Sequence, residues 1–453
     1  MNPRRVIVMS VGLMVAPVFA GTIHVPGDSP TIQSAIQDAG LFDTIIVAQG
    51  TYFESINFGG KTITVRSEDP MNPEVVSNTI IDAFFYQTVV SFTGGEDENT
   101  VLDGLTIQNG PQGVFGFGTQ ATIRHCIIRD NLEGGITQSN GLIEDTQILN
   151  NNVGLADCNG LIRRCIIRNN RFNGLEECNG SITDSRIEKN GQSGVYAGQL
   201  EIVRCLIASN TFEGVIGPAR LIDQSFIVGN RLSGVISFAG QQDGGIVRNS
   251  VIAGNRGFGF DHANKHVVNC TVVSNGSPGF VYHVGTIDHC IIWNNQGGQF
   301  FNSTTPTNSG SANPYVIQPG YWDEANGEWL NWDYHLSVFS PYIEAGDPNY
   351  PTSPNAATGD IEGNPRVVGS RVDIGAYEFQ AACEGDDFDG DGTPDVCDRD
   401  IDGDGIPNVA DVCDDTPLGV SVDDEGRPRA DLNHDCKVDL RDYAIMQRDF
   451  FGP

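Results

Sequence analysis

Hydrophobic and polar positions repeat about every 20 residues along residues 101–300. Small and aliphatic residues two positions apart, such as Cys165 and Ile167, alternate as the residues of a strand do. Recurring Gly and Asn columns would break a continuous helix. Each repeat therefore predicts one coil of short strands joined by sharp corners, and stacked coils place like residues above one another.

Asparagine fills one column of the repeat and predicts a corner there, because it tolerates left-handed backbone and its amide can bond the asparagines above and below. The spacing of 25 residues between Asn230 and Asn255 predicts a bulge at a corner that leaves the core undisturbed. The column contains Asn109, Asn131, Asn151, Asn170, Asn190, Asn210, Asn230, Asn255, Asn275 and Asn295.

The columns read I-x-x-[CST]-x-[IV]-x-x-N-x-x-x-G-[VLIF] and resemble the repeat of pectin-lyase-like right-handed parallel β-helix proteins. The resemblance covers roughly residues 22–380 and implies an all-β fold, a right-handed parallel β-helix solenoid. It leaves the activity open, because that fold hosts lyases, hydrolases, epimerases, adhesins and inert spikes.

Both ends of such a solenoid need a cover, since an open end exposes strand edges and an apolar core. Near the start, Ser29 and Pro30 have the residue types of an N-cap and a first helical position. The apolar face of a short capping helix follows, formed by Ile32, Ala35, Ile36 and Ala39. Near the end, DYHLSVFSPYIEAGDPN from Asp333 onward resembles the closing segment of the same family and is expected to finish the core.

The first 20 residues have the pattern of a secretory signal peptide. Arg4 and Arg5 precede an apolar run, and Val18, Phe19 and Ala20 give a small-residue cleavage pattern. The run is too short to span a membrane as a helix, and no other segment is a candidate. We therefore expect a bacterial protein exported to the cell surface or the extracellular space, where disulfides are permitted.

Charge is distributed unevenly along the chain. The net charge is −32, and residues 381–453 hold 21 acidic against 6 basic side chains. This balance argues against nucleic acid and anionic membranes as partners. Clustered aspartates favour cations instead.

Two acidic repeats in the tail predict calcium loops, because alternating carboxylates on a tight Gly turn converge on one point and Ca²⁺ takes oxygen ligands. The alternative is an acidic disordered linker. The spacing, the Gly positions and the interleaved Cys residues resemble thrombospondin type 3 repeats. The predicted ligands are Asp387, Asp389, Asp391, Asp395 and Asp398, then Asp400, Asp402, Asp404, Asn408 and Asp411.

A third loop resembles the calcium loop of a dockerin or an EF-hand. It departs from an EF-hand at position 6, where Cys436 replaces Gly, and at position 12, where Asp replaces Glu. A dockerin has two such loops and this chain has one, so a protein partner for this module stays an open expectation. The ligand positions are Asp431, Asn433, Asp435, Lys437 through its carbonyl, Asp439 and Asp442.

The 11 cysteines form three groups. An inward column of Cys126, Cys165, Cys205, Cys270 and Cys290 is interpreted as buried small hydrophobic residues. Cys158 and Cys178 share a column on adjacent coils, where a disulfide is geometrically possible. Four tail cysteines suit a disulfide framework of unspecified pairing: Cys383, Cys397, Cys413 and Cys436.

Candidate chemistry on the coils is less specific, and no catalytic residue is assigned. Arg163 with Glu144, and Arg164 with Asp184, are expected to form exposed ladder pairs that stabilise little. Arg164, Asp184 and Arg204 together would suit a lyase acting on an anionic glycan. Other candidates are a surface segment with Asp261, His262, Lys265 and His266, and a sugar-stacking platform of Trp322, Trp329, Trp332 and Tyr334.

The resulting prediction has six segments: a signal peptide (1–20), a cap with the first coils (21–100), the repeats (101–300), the closing segment (301–380), thrombospondin-like calcium repeats (381–418) and a dockerin-like loop with its helix (419–453). The expected function is binding of an extracellular carbohydrate or another surface ligand, with calcium as the cofactor. The alternatives are a polysaccharide lyase or glycoside hydrolase, and a structural surface protein without catalysis.

Overall fold

The structure, a computed structural model, describes residues 20–237, 244–350 and 359–380, and in the tail residues 386–390, 394, 395, 398, 400–406, 411–413, 415–439, 441, 442, 445 and 446. Residues 1–19 of the predicted signal peptide lie outside this part of the chain. The same holds for residues 238–243 in the predicted bulge, and for most of the helix expected after Asp442.

The described residues wind into a parallel β-helix with three long sheets, and successive coils contribute one strand to each. Sheet A contains Thr22–Val25, Thr44–Val47, Thr64–Ser67, Val101–Asp103, Thr122–Arg124, Ile143–Glu144, Leu161–Arg163, Ser181–Thr183, Glu201–Val203, Leu221–Asp223, Ile246–Arg248, His266–Val268 and Ile287–Asp288. Sheet B contains Gly50–Tyr52, Thr79–Asp82, Thr106–Gln108, Ile127–Arg129, Gln147–Leu149, Ile166–Arg168, Arg186–Glu188, Leu206–Ala208, Phe226–Val228, Val251–Ala253, Thr271–Val273 and Ile291–Trp293. Sheet C contains Ile56–Asn57, Val90–Ser91, Gln112–Thr119, Gly134–Ser139, Val153–Ala156, Leu175–Glu176, Val195–Tyr196, Val215–Ile216, Val235–Ile236, Phe260–Asp261, Phe280–Val281 and Phe300–Phe301.

Register places identical apolar residues above one another, as the repeat predicts. In sheet A Ile162 pairs with Ile182, and in sheet B Ile167 pairs with Ile187. These side chains are fully buried in one continuous core, and each contributes about 1.5–3 kcal/mol by leaving water. Ile222 pairs with Val247 across the insertion, so the extra residues leave the register intact.

A ladder of buried asparagines runs along the corner after sheet B. Each Nδ2 donates to the Oδ1 of the asparagine on the next coil, at 2.8 to 3.3 Å. The same Oδ1 also accepts the backbone N–H of the preceding asparagine, as between Asn190 and Asn210 at 3.0 Å. The ladder connects Asn131, Asn151, Asn170, Asn190, Asn210, Asn230, Asn255, Asn275 and Asn295, which confirms their alignment.

Two details of this corner differ from the prediction. Asn109 lies one position outside the ladder, because Gly110 occupies the ladder site and donates its N–H to Asn131 Oδ1. The left-handed residue is the one before each ladder asparagine, for example Lys189 at φ 56° and Ser209 at φ 56°. The asparagine therefore stabilises the corner through its amide and not through its own backbone conformation.

A short helix covers the N-terminal end, as expected, but it begins two residues later. The helix α1 is Ile32–Asp38 and buries Ile32, Ala35 and Ile36 against the first coils. Its N-cap is Thr31 and not Ser29, because Thr31 and Ser34 form a reciprocal capping box. A second helix, α2 (Pro73–Asn78), joins sheet A to sheet B in the third coil.

The closing segment folds back along the side of the solenoid, whereas the prediction placed it only at the end of the core. Residues 307 and 310 add bridges to the last coil. The antiparallel strands Val316–Asp323 and Glu328–Leu336 then pack with residues 342–345 and 361–377 on the outer face of sheet B, around a second apolar cluster. Trp329 lies over Gly254, where an added Cβ would come within 2.2 Å of the ring.

The cysteines of the solenoid are buried and free, as interpreted for the inward column. Burial raises the pKa of the Cys126, Cys165 and Cys205 thiols to about 12. Cys158 and Cys178 are also free. In the tail Cys413 is bonded to Cys436, while Cys383 and Cys397 lie outside the described residues.

Candidate functional site

The outer face of sheet A carries arginines whose carboxylate partners lie beside them on neighbouring coils. Register brings Asp103, Arg124, Glu144 and Arg163 into one row on successive coils, and Asp223 and Arg248 continue it further along. A second row follows at the adjoining corner. We call Arg124, Arg163, Arg164, Arg204 and Arg248 the arginine strip.

Burial divides the two kinds of charge on this face. Asp103, Glu144 and Asp223 are buried, whereas the side chains of Arg163, Arg164 and Arg204 are 38%, 47% and 50% exposed. A carboxylate on the adjacent coil fixes the orientation of the guanidinium through charge-assisted hydrogen bonds. The strip therefore presents oriented cations to solvent in a strongly acidic protein.

Each guanidinium in the middle of the strip is held along one edge. Arg163 Nε donates to Glu144 Oε2 at 2.8 Å, and Arg204 binds both oxygens of Asp184 at 2.6 and 2.9 Å. Arg163, Arg164 and Arg204 use Nε and Nη2. Within the described part of the chain their Nη1 groups have no acceptor, so these donors are available for a further contact.

The pairing of Arg164 differs from the prediction. It binds Asp145 through two hydrogen bonds of 2.8 and 2.7 Å and also Glu144 at 2.8 Å, and not Asp184. Its guanidinium holds the pKa of Asp145 below its usual value, and Arg204 does the same for Asp184. Both carboxylates are therefore charged at neutral pH and keep the arginines in place.

A histidine lies at one end of the strip beside a small cleft. His125 Nδ1 bonds the buried Asp103 at 2.8 Å, and its Nε2 lies 3.8 Å from Asp145 Oδ2. The cleft has a volume of about 150 Å³ and is partly roofed by Pro70, Met71 and Pro73 before and at the start of α2. Asp103 orients the imidazole through Nδ1, and His125 and Asp145 both line the cleft. The sequence pattern did not reveal this arrangement, because the partner lies one coil away.

The segment with Asp261 and His262 does not form a common site. His262 bonds its neighbour Asp261 at 2.5 Å, and His266 bonds Thr286 at 2.9 Å. Lys265 is fully buried and donates to the Ala219 carbonyl at 3.0 Å. The lysine therefore points into the solenoid, away from the exposed imidazoles.

The four aromatic residues of the closing segment do not form a sugar-stacking platform. Tyr334 is fully buried, and Trp329 and Trp332 pack against the second apolar cluster. Trp322 lines a cleft of about 470 Å³, where Arg256 lies over its ring at 4.5 Å. Three of the four aromatic residues thus attach the hairpin to sheet B.

Carboxylates of the second acidic repeat converge in the tail. Asp400, Asp402 and Asp404 each offer an oxygen within 4.8 Å of the others. Asp400 Oδ1 and Asp404 Oδ2 are buried and have no hydrogen-bond partner in the described residues. Burial and the neighbouring Asp404 and Asp411 raise the pKa of Asp402 to about 6. This donor set of hard oxygens without a counter-ion fits a divalent cation such as Ca²⁺.

The third loop is closed by its first and last carboxylates. Asp431 accepts the N–H groups of His434, Asp435 and Cys436, at 2.8 to 3.3 Å. Asp442 accepts those of Leu432, Asn433 and Asp439, at 2.8 to 3.2 Å. Cys436 has φ 61°, the left-handed conformation for which EF-hands use Gly at this position.

The structure gives fewer contacts for the other predicted calcium ligands. In the first repeat Gly390 N–H bonds Asp387 Oδ1 at 2.8 Å, and Phe388 N–H bonds Asp395 Oδ1 at 2.7 Å. Asp391 of the first repeat and Asn408 of the second lie outside the described residues. Asp389 and Asp398 are described but do not belong to the carboxylate cluster of Asp400, Asp402 and Asp404. Lys437 is also described.

The match to one family model agrees with this architecture. Residues 175–313 match the family model described as right handed beta helix region. Solved structures with a similar fold include the pectate lyase Pel9A, at 14% identity and TM-score 0.39, over 79% of this chain and 96% of that chain. The mannuronan C-5 epimerase AlgE4 A-module of Azotobacter vinelandii is similar at 15% identity and TM-score 0.41, over 62% of this chain and 89% of that chain.

No curated protein matches this chain. Within the described residues no helix has the length and apolarity that crossing a bilayer requires. The strand register itself establishes the fold. The chain folds as a parallel β-helix, residues 175–313 of which match the right handed beta helix region, followed by a small acidic C-terminal module.

Proposed function

We propose that this protein is exported and binds an extracellular acidic polysaccharide along the arginine strip, with a tail that folds around calcium. The observation that carries the proposal is the set of arginine–carboxylate pairs on sheet A and its adjoining corner, in which the arginines are partly exposed and Asp103, Glu144 and Asp223 are buried. Guanidinium groups recognise carboxylates in a bidentate manner. A chain of uronic acids offers such carboxylates at regular intervals.

The charges of the arginine strip and of its carboxylate partners nearly cancel, so the strip attracts a ligand only at short range. Each arginine is matched by at least one aspartate or glutamate, and the whole chain has a net charge of −32. Long-range attraction of an anionic polymer is therefore absent, and binding depends on contact with the outward Nη1 donors. This predicts a slow, specific association that salt weakens only moderately, because the contacts are short and partly shielded.

Calcium binding by the tail is supported by the Asp400, Asp402 and Asp404 oxygens and by the closure of the Asp431 loop. Ca²⁺ would be held by the carboxylates of the second repeat, and by Asp431, Asn433, Asp435, Asp439 and Asp442 with the Lys437 carbonyl in the third loop. When bound, the ion supplies charge neutralisation and cross-links the loop. The resemblance to a dockerin also makes a protein partner of this module part of the proposal.

The test of the glycan proposal is binding to soluble polygalacturonate and alginate, measured by affinity electrophoresis with dextran as the neutral comparison. The variant Arg163→Ala/Arg204→Ala removes two outward donors. We expect its affinity to fall at least about tenfold, equivalent to 1.4 kcal/mol. Arg186→Ala is the matched control, since Arg186 is 57% exposed and paired with Glu188 on sheet B. Equal binding by both variants, or no binding by the parent, contradicts the proposal.

His125 favours a second candidate function, a polysaccharide lyase. A base oriented by a buried carboxylate and next to arginines has the parts for β-elimination, in which a C5 proton leaves to the base and the C4–O bond breaks to give a C4=C5 double bond. The same polymers would then yield products that absorb in the ultraviolet. His125→Ala is expected to abolish that signal while leaving polymer binding unchanged. New reducing ends without absorbance would indicate a hydrolase instead.

A further inference from the structure

An exposed aromatic cluster lies near the N-terminal end, away from the arginine strip. We call Phe53, Phe84, Phe85 and Tyr86 the aromatic corner; they are 62%, 54%, 47% and 87% exposed. The last three follow the sheet B strand Thr79–Asp82 and precede the sheet C strand Val90–Ser91. Contiguous exposed aromatic residues on a soluble protein usually mark a binding site.

The backbone of this corner is strained. Phe84 has φ 50° and Phe85 has φ 65°, a left-handed conformation that bulky residues rarely adopt. Glycine or asparagine would adopt it more easily. Neither ring belongs to the buried core in return, because about half of each side chain is exposed. Aromatic side chains therefore serve something other than folding here.

A buried carboxylate holds the strained loop in place. Asp82 Oδ1 accepts the N–H of Phe84 at 3.0 Å, and its Oδ2 accepts Nε2 of Gln108 and Nδ2 of Asn109 at 2.9 and 2.7 Å. The backbone N–H of Phe85 also bonds the Asn109 carbonyl. The position of the rings is thus fixed before any ligand arrives, which lowers the entropic cost of binding.

The rings form one wall of a shallow cleft. Phe53 and Phe84 stack with centroids 4.5 Å apart and planes inclined by 22°. Together with Tyr86 they line a space of about 240 Å³, whose rim carries polar groups of Glu54, Ser55, Asp82 and Gln87. Flat apolar surface beside hydroxyl, amide and carboxylate groups suits a ligand with an apolar face and a polar edge.

Charge identifies the class of ligand. Every charged side chain that lines the cleft is acidic, namely Glu54 and Asp82. Glu54 is fixed because it accepts the N–H groups of Ile32 and Gln33 at 2.9 Å each. Uronic acids and anionic lipids are repelled by these carboxylates, and a bilayer would also have to desolvate them. Pyranose rings without charge have apolar faces and hydroxyl edges that match the site.

We propose that the aromatic corner binds a neutral polysaccharide, which stacks on Phe84 and Tyr86. This site lies at the junction of sheets B and C, whereas the arginine strip lies on sheet A. It is independent of the proposed acidic ligand, and either site can function if the other does not. A protein with both would connect two chemically different glycans.

The experiment is co-sedimentation of the intact protein with amorphous cellulose and insoluble mannan. The parent is expected to sediment with at least one of them. Phe84→Ala/Tyr86→Ala should bind at least about tenfold more weakly, because it removes the two aromatic rings on which the sugar stacks. Phe117→Ala is the matched control, because Phe117 is 69% exposed with φ 47° at the end of a sheet C strand. Binding of Phe84→Tyr/Tyr86→Phe should equal that of the parent.

The proposal is overturned if the parent binds neither cellulose nor mannan. It is also overturned if the Phe84→Ala/Tyr86→Ala variant and the Phe117→Ala control lose glycan binding equally. Parallel runs with phosphatidylcholine vesicles, and analytical ultracentrifugation without glycan, test the other occupants. If the double alanine variant loses vesicle binding or self-association instead of glycan binding, the corner serves a membrane or a second copy. A polygalacturonate assay on the same variant should be unchanged, which separates this site from the arginine strip.

Discussion

The asparagines of the solenoid and the aspartates of the tail both bring like polar side chains together, and they differ in whether the side chain ends in an amide or a carboxylate. An amide carries a donor and an acceptor, so Asn190 receives from one neighbour and donates to the next. An ionised carboxylate only accepts. Asp400 and Asp404 each keep a buried oxygen without a partner in the described residues.

This difference explains how each region is stabilised. The solenoid satisfies its corner internally and adds a continuous aliphatic core, so no ion is required. The tail combines many carboxylates with few apolar residues, and its buried Asp402 is only 1% exposed. Such a cluster is self-repelling until a cation supplies the missing charge.

Replacing a ladder asparagine of the solenoid by aspartate should have the largest effect on stability. Asn190→Asp removes the donor to Asn210 and places a charge in the core. We expect a loss of about 3–5 kcal/mol in the free energy of unfolding, measured by guanidinium denaturation followed by circular dichroism. Asn159→Asp is the matched control, since Asn159 belongs to an exposed asparagine ladder with Asn140 and Asn179. A comparable loss in both variants would contradict the role given to burial.

Replacing an aspartate of the tail by asparagine should have a smaller effect, and it should stabilise the metal-free tail. Asp402→Asn removes one carboxylate from a cluster without a counter-ion, so the metal-free tail should become more resistant to proteolysis than that of the parent. The same change should weaken calcium binding about tenfold, equivalent to 1.4 kcal/mol, by isothermal titration. Unchanged affinity would show that Asp402 does not bind the ion.

The solenoid could be predicted from sequence because every coil repeats the same evidence. Stacked residues such as Ile162 and Ile182 have the predicted register, and only the first asparagine, Asn109, was assigned one position away from the ladder site. The closing segment was harder, since it lacks a repeat. A signal for its hairpin existed in the turn between Asp323 and Glu328, but nothing local indicated that it would fold back onto sheet B.

The candidate sites, too, could be predicted from the sequence only in part. Spacing alone suggested the calcium ligands, which stay a prediction, and it placed Arg163 beside Glu144. It did not reveal that Glu144 is buried, because burial depends on the coils on either side. The aromatic corner was missed although Phe84, Phe85 and Tyr86 are consecutive, since an aromatic run in a repeat protein is usually interpreted as core.

Limited proteolysis with and without calcium tests the central contrast most directly. The full chain would be digested with trypsin in calcium and in EDTA, and the fragments identified by mass spectrometry. We expect cuts after Arg429, Lys437 and Arg441 to be at least about tenfold faster in EDTA, since open states are cleaved in proportion to their population, while cuts within residues 101–300 stay equally slow. Equal rates in the tail under both conditions, or a solenoid that opens with the tail, would contradict the account.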